Sequence, residues 1–104
     1  MREWIGVDLD GTIAVYDGGF DIEHIGDPIP LMIERVKHWI SKDIKVKIFT
    51  ARCSVPGHVK PIHKWLKEQG LPELEVTNIK DLYMLELWDD RSRQVIKNTG
   101  ERVG

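Results

Sequence analysis

The chain has one cysteine in 104 residues, no apolar run near the length of a membrane span, and no surplus of either charge. Each shortage excludes something. A lone Cys53 cannot close an internal disulfide, so an oxidising compartment is not required and the cytoplasm is the expected location. Without ~18–20 consecutive apolar residues there is no transmembrane helix, and the N-terminus lacks a secretory signal's apolar segment, so no membrane partner is expected. A net charge of −2, with the basic residues scattered, lacks the basic face of a dedicated nucleic-acid binder. Repeats, low-complexity tracts and linkers are also missing. What remains is an ordinary globular composition, 41% apolar and 31% charged. Splitting a chain this short would leave neither half a sufficient core, so residues 1–104 are expected to form a single domain.

What is present alternates between two periodicities. "EWIGVDL" reads as a strand apolar on both faces, as in a parallel sheet with helices on each side. Residues 13–30 hold three glycines and two prolines and read as a long excursion, a flap. "LMIERVKHWI" places Met32, Val36, Trp39 and Ile40 at helical spacing, with Pro30 suited to the first turn. "KVKIFT" is a second strand, Val46 and Ile48 on one side, Lys45 and Lys47 on a side only partly covered. A helix within 57–69 turns Ile62, Trp65 and Leu66 inward and stops at Gly70. "LEVTN" and "MLELW" are the third and fourth strands, and a further strand is expected around Gln94–Lys97, with a short helix as the alternative. The pattern predicts an α/β fold with a doubly wound parallel sheet. Ligands bind outside the carboxyl ends of such strands. Asp8 and Asp10, Thr50, Lys80, and Asp89 with Asp90 each follow a predicted strand, so all should converge.

Asp8 and Asp10 stand two apart at a strand end, and Gly11 permits a sharp turn beside them. With Asp89 and Asp90 added, four carboxylates share one spot. Such a cluster is costly unless a hard cation sits in it, and oxygen-only ligands favour Mg²⁺. A calcium loop does not fit "DLDGT", because glycine falls at the fourth position instead of the sixth and a strand precedes it. A cation with vacant positions can take a phosphate oxygen.

In these motifs the sequence resembles the haloacid dehalogenase superfamily, along nearly the whole chain. "DLDGT" matches its Asp-x-Asp-x-Thr, "IFTAR" its strand ending in Thr or Ser, Lys80 in "TNIKD" its lysine, and "WDD" its acidic pair. "ELWDDRSRQVIKNTG" and "HIGDPIPLMIERVKHW" are similar to small members encoded in phages and prophages, and "DDR" resembles the 3′-phosphatase domain of phage polynucleotide kinase. The resemblance implies a Mg²⁺-dependent phosphomonoester hydrolase. In that reading Asp8 attacks phosphorus and becomes an aspartyl phosphate, while Asp10 is the general acid and then the base. Asp8, the Asp10 carbonyl and Asp89 hold Mg²⁺, with Asp90 close behind. Thr50 hydrogen-bonds the phosphoryl oxygens, and Lys80 neutralises charge on the nucleophile and phosphate, completing the catalytic set. Gly11, Thr12, Arg52 and Arg91 are candidates for contacting substrate.

Only one helix lies between the second and third motifs, leaving no room for a large cap domain. Nucleotides or other small phosphomonoesters are the first expectation for substrate, and a polynucleotide 3′-phosphate the second, which the near-neutral charge disfavours. A receiver-like phosphorylation switch would need the acidic pair on the first strand and no Asp two residues after the phosphorylated one. An idle phosphate-binding protein is the remaining alternative. Cys53 lacks the arginine six residues later that cysteine phosphatases require, since Val59 stands there, and reads as a bystander thiol. The four histidines have no paired metal spacing. The four tryptophans read as core, unless one exposed on a helix marks a contact in a homodimer; otherwise the protein is expected to be a monomer.

Overall fold

The structure, a computed structural model, describes residues 2–104. Strand β1 (Trp4–Val7) is buried at all four positions. Helix α1 (Pro30–Ser41) begins with Pro30, whose missing N–H costs nothing in a first turn. Strand β2 (Lys45–Phe49) leads through a one-turn 3₁₀ helix (Ala51–Ser54) to helix α2 (Val59–Glu68). Strands β3 (Val76–Thr77) and β4 (Met84–Trp88) complete a four-stranded sheet in the order β3-β2-β1-β4. Every pairing is parallel. This is the capless α/β sheet that the alternation predicts, winding outward from β1 in both directions.

Both helices lie on one face. Ile5, Val7, Val46 and Ile48 join Met32, Ile33 and Val36 of α1 and Ile62, Trp65 and Leu66 of α2 in a single core cluster. The expectation of helices on each side is therefore not met, and the reason is chain length. Residues 78–83 alone connect β3 to β4, too few for a helical crossover. That connection passes over the other face instead, where the Asp81 carboxylate accepts from Trp4 Nε1 at 2.9 Å. Lys47, expected to be partly covered, is buried there: its Nζ lies 3.1 Å from Glu75 and 4.4 Å from the Trp4 ring centroid. Trp39 and Trp88 pack together at 5.2 Å and Trp4 and Trp65 are buried, so the tryptophans are packing residues. In the tail, Val95 bridges Arg102 in an antiparallel hairpin, where the sequence suggests a strand; the turn is made by Asn98 and Gly100, both at positive φ.

The excursion after β1 is a flap with a pinned base. Val15 N–H donates to the Asp27 carbonyl and Ile29 N–H to that of Ile13, both at 2.8 Å. At Gly26 the flap backbone meets the Val15 carbonyl so closely that a Cβ would not fit. Trp65 Nε1 donates to the Gly26 carbonyl at 2.9 Å, tying the flap to α2.

Candidate active site

Backbone bonds between strand ends assemble the site. Asp8 N–H donates to the Trp88 carbonyl at 2.9 Å, which sets Asp8 beside Asp89 and Asp90. Thr50 N–H donates to the Thr77 carbonyl at 2.9 Å, which sets Thr50 beside Asn78. The result is a cleft of about 800 Å³ lined by Asp8, Asp10, Thr50, Arg52, Asp89, Asp90 and Arg91 and by Tyr16 and Phe20 of the flap.

Asp8, Asp89 and Asp90 bring carboxylate oxygens within 4.8 Å of one another. No lysine or arginine forms an ion pair with any of the three among the described residues. Burial, then the charge of Asp89, then the hydrogen bond with and charge of Asp90, push the Asp8 carboxyl from 3.8 up to about 7. Three oxygen donors, uncompensated and repelling, fit a hard divalent cation, and Mg²⁺ is bound by such carboxylates while keeping several waters. The Asp10 carboxylate stands outside this triad.

Asp10 faces Arg52 instead. Nε donates to Oδ2 and Nη2 to Oδ1, each at 2.8 Å. The same guanidinium donates to three flap carbonyls: Nη1 to Asp21 at 3.2 Å and Ile22 at 3.4 Å, Nη2 to His24 at 3.0 Å. An arginine has five N–H donors, and all five are taken. Arg52 is only 5% exposed, and the Phe20 ring covers it at 5.0 Å. It lines the cleft, but with every donor engaged by Asp10 or the flap it serves in this structure to hold them together, where the sequence reading offers it to substrate. The sequence separates Arg52 from Asp10 by 42 positions, and no local pattern links them.

Gly11 and Thr12 also differ from expectation. Neither lines the cleft. Gly11 has φ +89°, and a Cβ there would lie 2.6 Å from Asp90 Oδ2. The Thr12 hydroxyl accepts from Asp90 N–H at 3.1 Å and lies 3.5 Å from Asp8 Oδ2. Both residues fit Asp90 against the first loop. Thr50 caps the 3₁₀ turn by accepting from Arg52 N–H at 3.1 Å, which leaves its hydroxyl proton free to donate into the cleft.

Lys80 is not brought to the cleft. It lies along β4 beside Leu85–Trp88 and Ser92–Gln94, because the chain has already turned over the helix-free face. Asn78, the first residue after β3, lines the cleft instead. The strand-end rule that suggested Lys80 points equally to Asn78, once β3 is seen to stop at Thr77. Cys53 lies outside the cleft and burial pushes its thiol up, away from the reactive thiolate. His58 and His63 bond the Val55 and Leu74 carbonyls.

No protein-family model matches the chain, and no curated protein sequence matches it. Among solved structures, a conserved protein from Bacteroides thetaiotaomicron is similar, with a TM-score of 0.67 and 22% identity over 88% of this chain and 78% of that one. At that identity the likeness speaks for the fold alone.

Proposed function

We propose that this protein is a haloacid-dehalogenase-like, Mg²⁺-dependent phosphomonoester hydrolase acting on small phosphomonoesters. The observation that carries the reading is the uncompensated Asp8, Asp89 and Asp90 triad at one end of a cleft, with Asp10 held beside it. A dication held by those three carboxylates would offset their charge and polarise a phosphate oxygen.

The chain's own residues supply the rest. A carboxylate oxygen of Asp8 attacks phosphorus, and the bond from phosphorus to the ester oxygen breaks. Asp10 gives that oxygen its proton. One of the two Asp10 oxygens must first leave Arg52 and take up a proton from solvent, because both oxygens accept from the guanidinium in the structure. Water then attacks phosphorus, Asp10 takes its proton, and the bond to Asp8 breaks to release phosphate. The Thr50 hydroxyl donates to a phosphoryl oxygen, and Arg91, which also lines the cleft, supplies positive charge. Lys80 has no part in this arrangement.

Release of inorganic phosphate from a panel of phosphomonoesters, with Mg²⁺ and with chelator, tests the reading. Hydrolysis that needs Mg²⁺, and is lost in both Asp8→Asn and Asp10→Asn, is the expected result. Full activity in chelator or in Asp8→Asn would remove the mechanism.

A further inference from the structure

The floor of the cleft counts charges closely, and its walls are aromatic. Arg52 and Asp10 satisfy each other. Arg52 and Arg91 are the cations lining the cleft among the described residues, and with Arg52 spent on Asp10 and the flap, only Arg91 and a dication face the three carboxylates and an incoming phosphate. Nothing remains for a second phosphate, and Lys80 lies elsewhere. The flap meanwhile contributes Tyr16 and Phe20 to the lining of the same cleft, and the two residues are 51% and 57% exposed. Phe20 does not hang free. One side of its ring lies over the Arg52 guanidinium, which is itself fixed by the Asp10 carboxylate and three flap carbonyls. A ring so braced keeps its other surface available for stacking at little entropic cost.

We infer that Tyr16 and Phe20 form a stacking platform, and that the substrate is a phosphomonoester with one phosphate and a planar aromatic body, as in a nucleoside monophosphate. The inference rests on the hydrolase reading and narrows it. The phosphate lies at the carboxylate triad, the aromatic body lies against the flap, and the exposed Asn78 amide is placed to meet polar groups on its edge. Sugar phosphates offer no flat apolar surface, and bisphosphates or oligonucleotides bring charge that the cleft does not balance.

The test compares kcat/KM for a nucleoside monophosphate and benzyl phosphate, both with alkyl leaving oxygens, against glycerol phosphate, a nucleoside bisphosphate and a 3′-phosphorylated oligonucleotide. Stacking on one base is typically worth roughly 5–100-fold, so the aromatic monophosphates should lead glycerol phosphate by about that factor. In Phe20→Leu, which still covers Arg52 with an apolar group, the lead should shrink towards parity, with the change in KM. No lead, or a lead that survives Phe20→Leu and Tyr16→Leu together, overturns the platform while leaving the hydrolase intact. A preference for the bisphosphate or the oligonucleotide overturns the single-phosphate assignment. A second measurement needs no turnover: titrating the parent protein with a non-hydrolysable nucleoside phosphonate and Mg²⁺, and following the ring protons of Tyr16 and Phe20 by NMR. Saturable shifts of both rings support the platform even if no ester is hydrolysed, and unmoved rings overturn it.

Discussion

Arg52 and Asp10 form a two-pronged ion pair, Nε to Oδ2 and Nη2 to Oδ1, both at 2.8 Å, with the arginine almost wholly out of water. Two groups from different loops are fixed in one plane, and the remaining donors of the guanidinium stitch the flap to them. Such a planar fork cannot be reproduced by an ammonium.

Arg52→Lys should therefore behave as a loss and not as a conservative change. Breaking a buried pair by removing one partner typically costs ~3–5 kcal/mol; with Asp10 still partly in contact with water and an ammonium retained, about 2–3 kcal/mol is expected. At ~4–8 °C per kcal/mol, the melting temperature should fall by at least ~8 °C. Limited proteolysis should now cut within residues 16–26, the flap segment whose carbonyls Arg52 holds at Asp21, Ile22 and His24. A variant that melts like the parent and resists cleavage there would show that the flap is held by its base alone.

Asp10→Asn tests the same pair from the other side. An amide can accept only one prong of the fork and cannot pass a proton to a leaving oxygen. General acid help is typically worth ~10²–10⁴-fold. The loss should be far larger for an alkyl phosphate than for an activated aryl phosphate, whose leaving oxygen needs no proton. Equal losses on both would make Asp10 a structural partner of Arg52 and nothing more.

Gly11→Ala should disturb the triad without touching any of its members. A Cβ at φ +89° would sit 2.6 Å from Asp90 Oδ2, so either the loop or the carboxylate must move. Strain of this kind costs ~1–3 kcal/mol. The diagnostic is a weakened Mg²⁺ response in thermal unfolding beyond the loss of stability itself; an undiminished response would mean that Asp90 is not needed for the cation.

The strands and helices were legible because burial imposes spacing: Val46 and Ile48 alternate, and Ile62, Trp65 and Leu66 recur on one helical face. The carboxylate cluster was legible for a related reason, since strands of a parallel sheet end on one edge and Asp8, Asp89 and Asp90 follow strand ends directly. Three things were not. Lys80 was displaced because β3 is a two-residue strand, so small an element that its end cannot be read from propensity. The burial of Lys47 depends on Glu75 and Asp81, neither of which shares its strand. The role of Arg52 depends on backbone carbonyls of the flap, and a carbonyl carries no sequence signature at all.

Asp8→Asn should raise the stability of the metal-free protein even as it abolishes hydrolysis. The Asp8 carboxyl is pushed from 3.8 to about 7, first by burial and then by Asp89 and Asp90. The folded protein thus holds that proton more tightly than the unfolded chain does. Its stabilising effect is complete below about pH 3.8 and is lost as the pH rises through about 7. Melting curves of the metal-free protein between those limits should fall with rising pH. In Asp8→Asn the slope should flatten, because an amide has no proton to lose. Parallel slopes in the two proteins would place the titration elsewhere.

Mg²⁺ should reverse that pH dependence. A cation binding only the folded protein at ten times its dissociation constant adds ~1.4 kcal/mol. For a domain of this size the melting temperature then rises by roughly 5–10 °C. Because the proton on Asp8 and the cation compete for the same oxygens, the rise at a fixed Mg²⁺ concentration should be small near pH 5 and full near pH 8. Removing one ligand isolates the site: in Asp89→Asn the rise should vanish at every pH. Lys80→Ala should keep the whole effect, since that side chain lies beside β4 and not in the cleft. Differential scanning calorimetry of the three proteins over that range decides the matter. A Mg²⁺-dependent rise retained in Asp89→Asn would move the cation off the triad, and a rise lost in Lys80→Ala would bring the lysine back to the site.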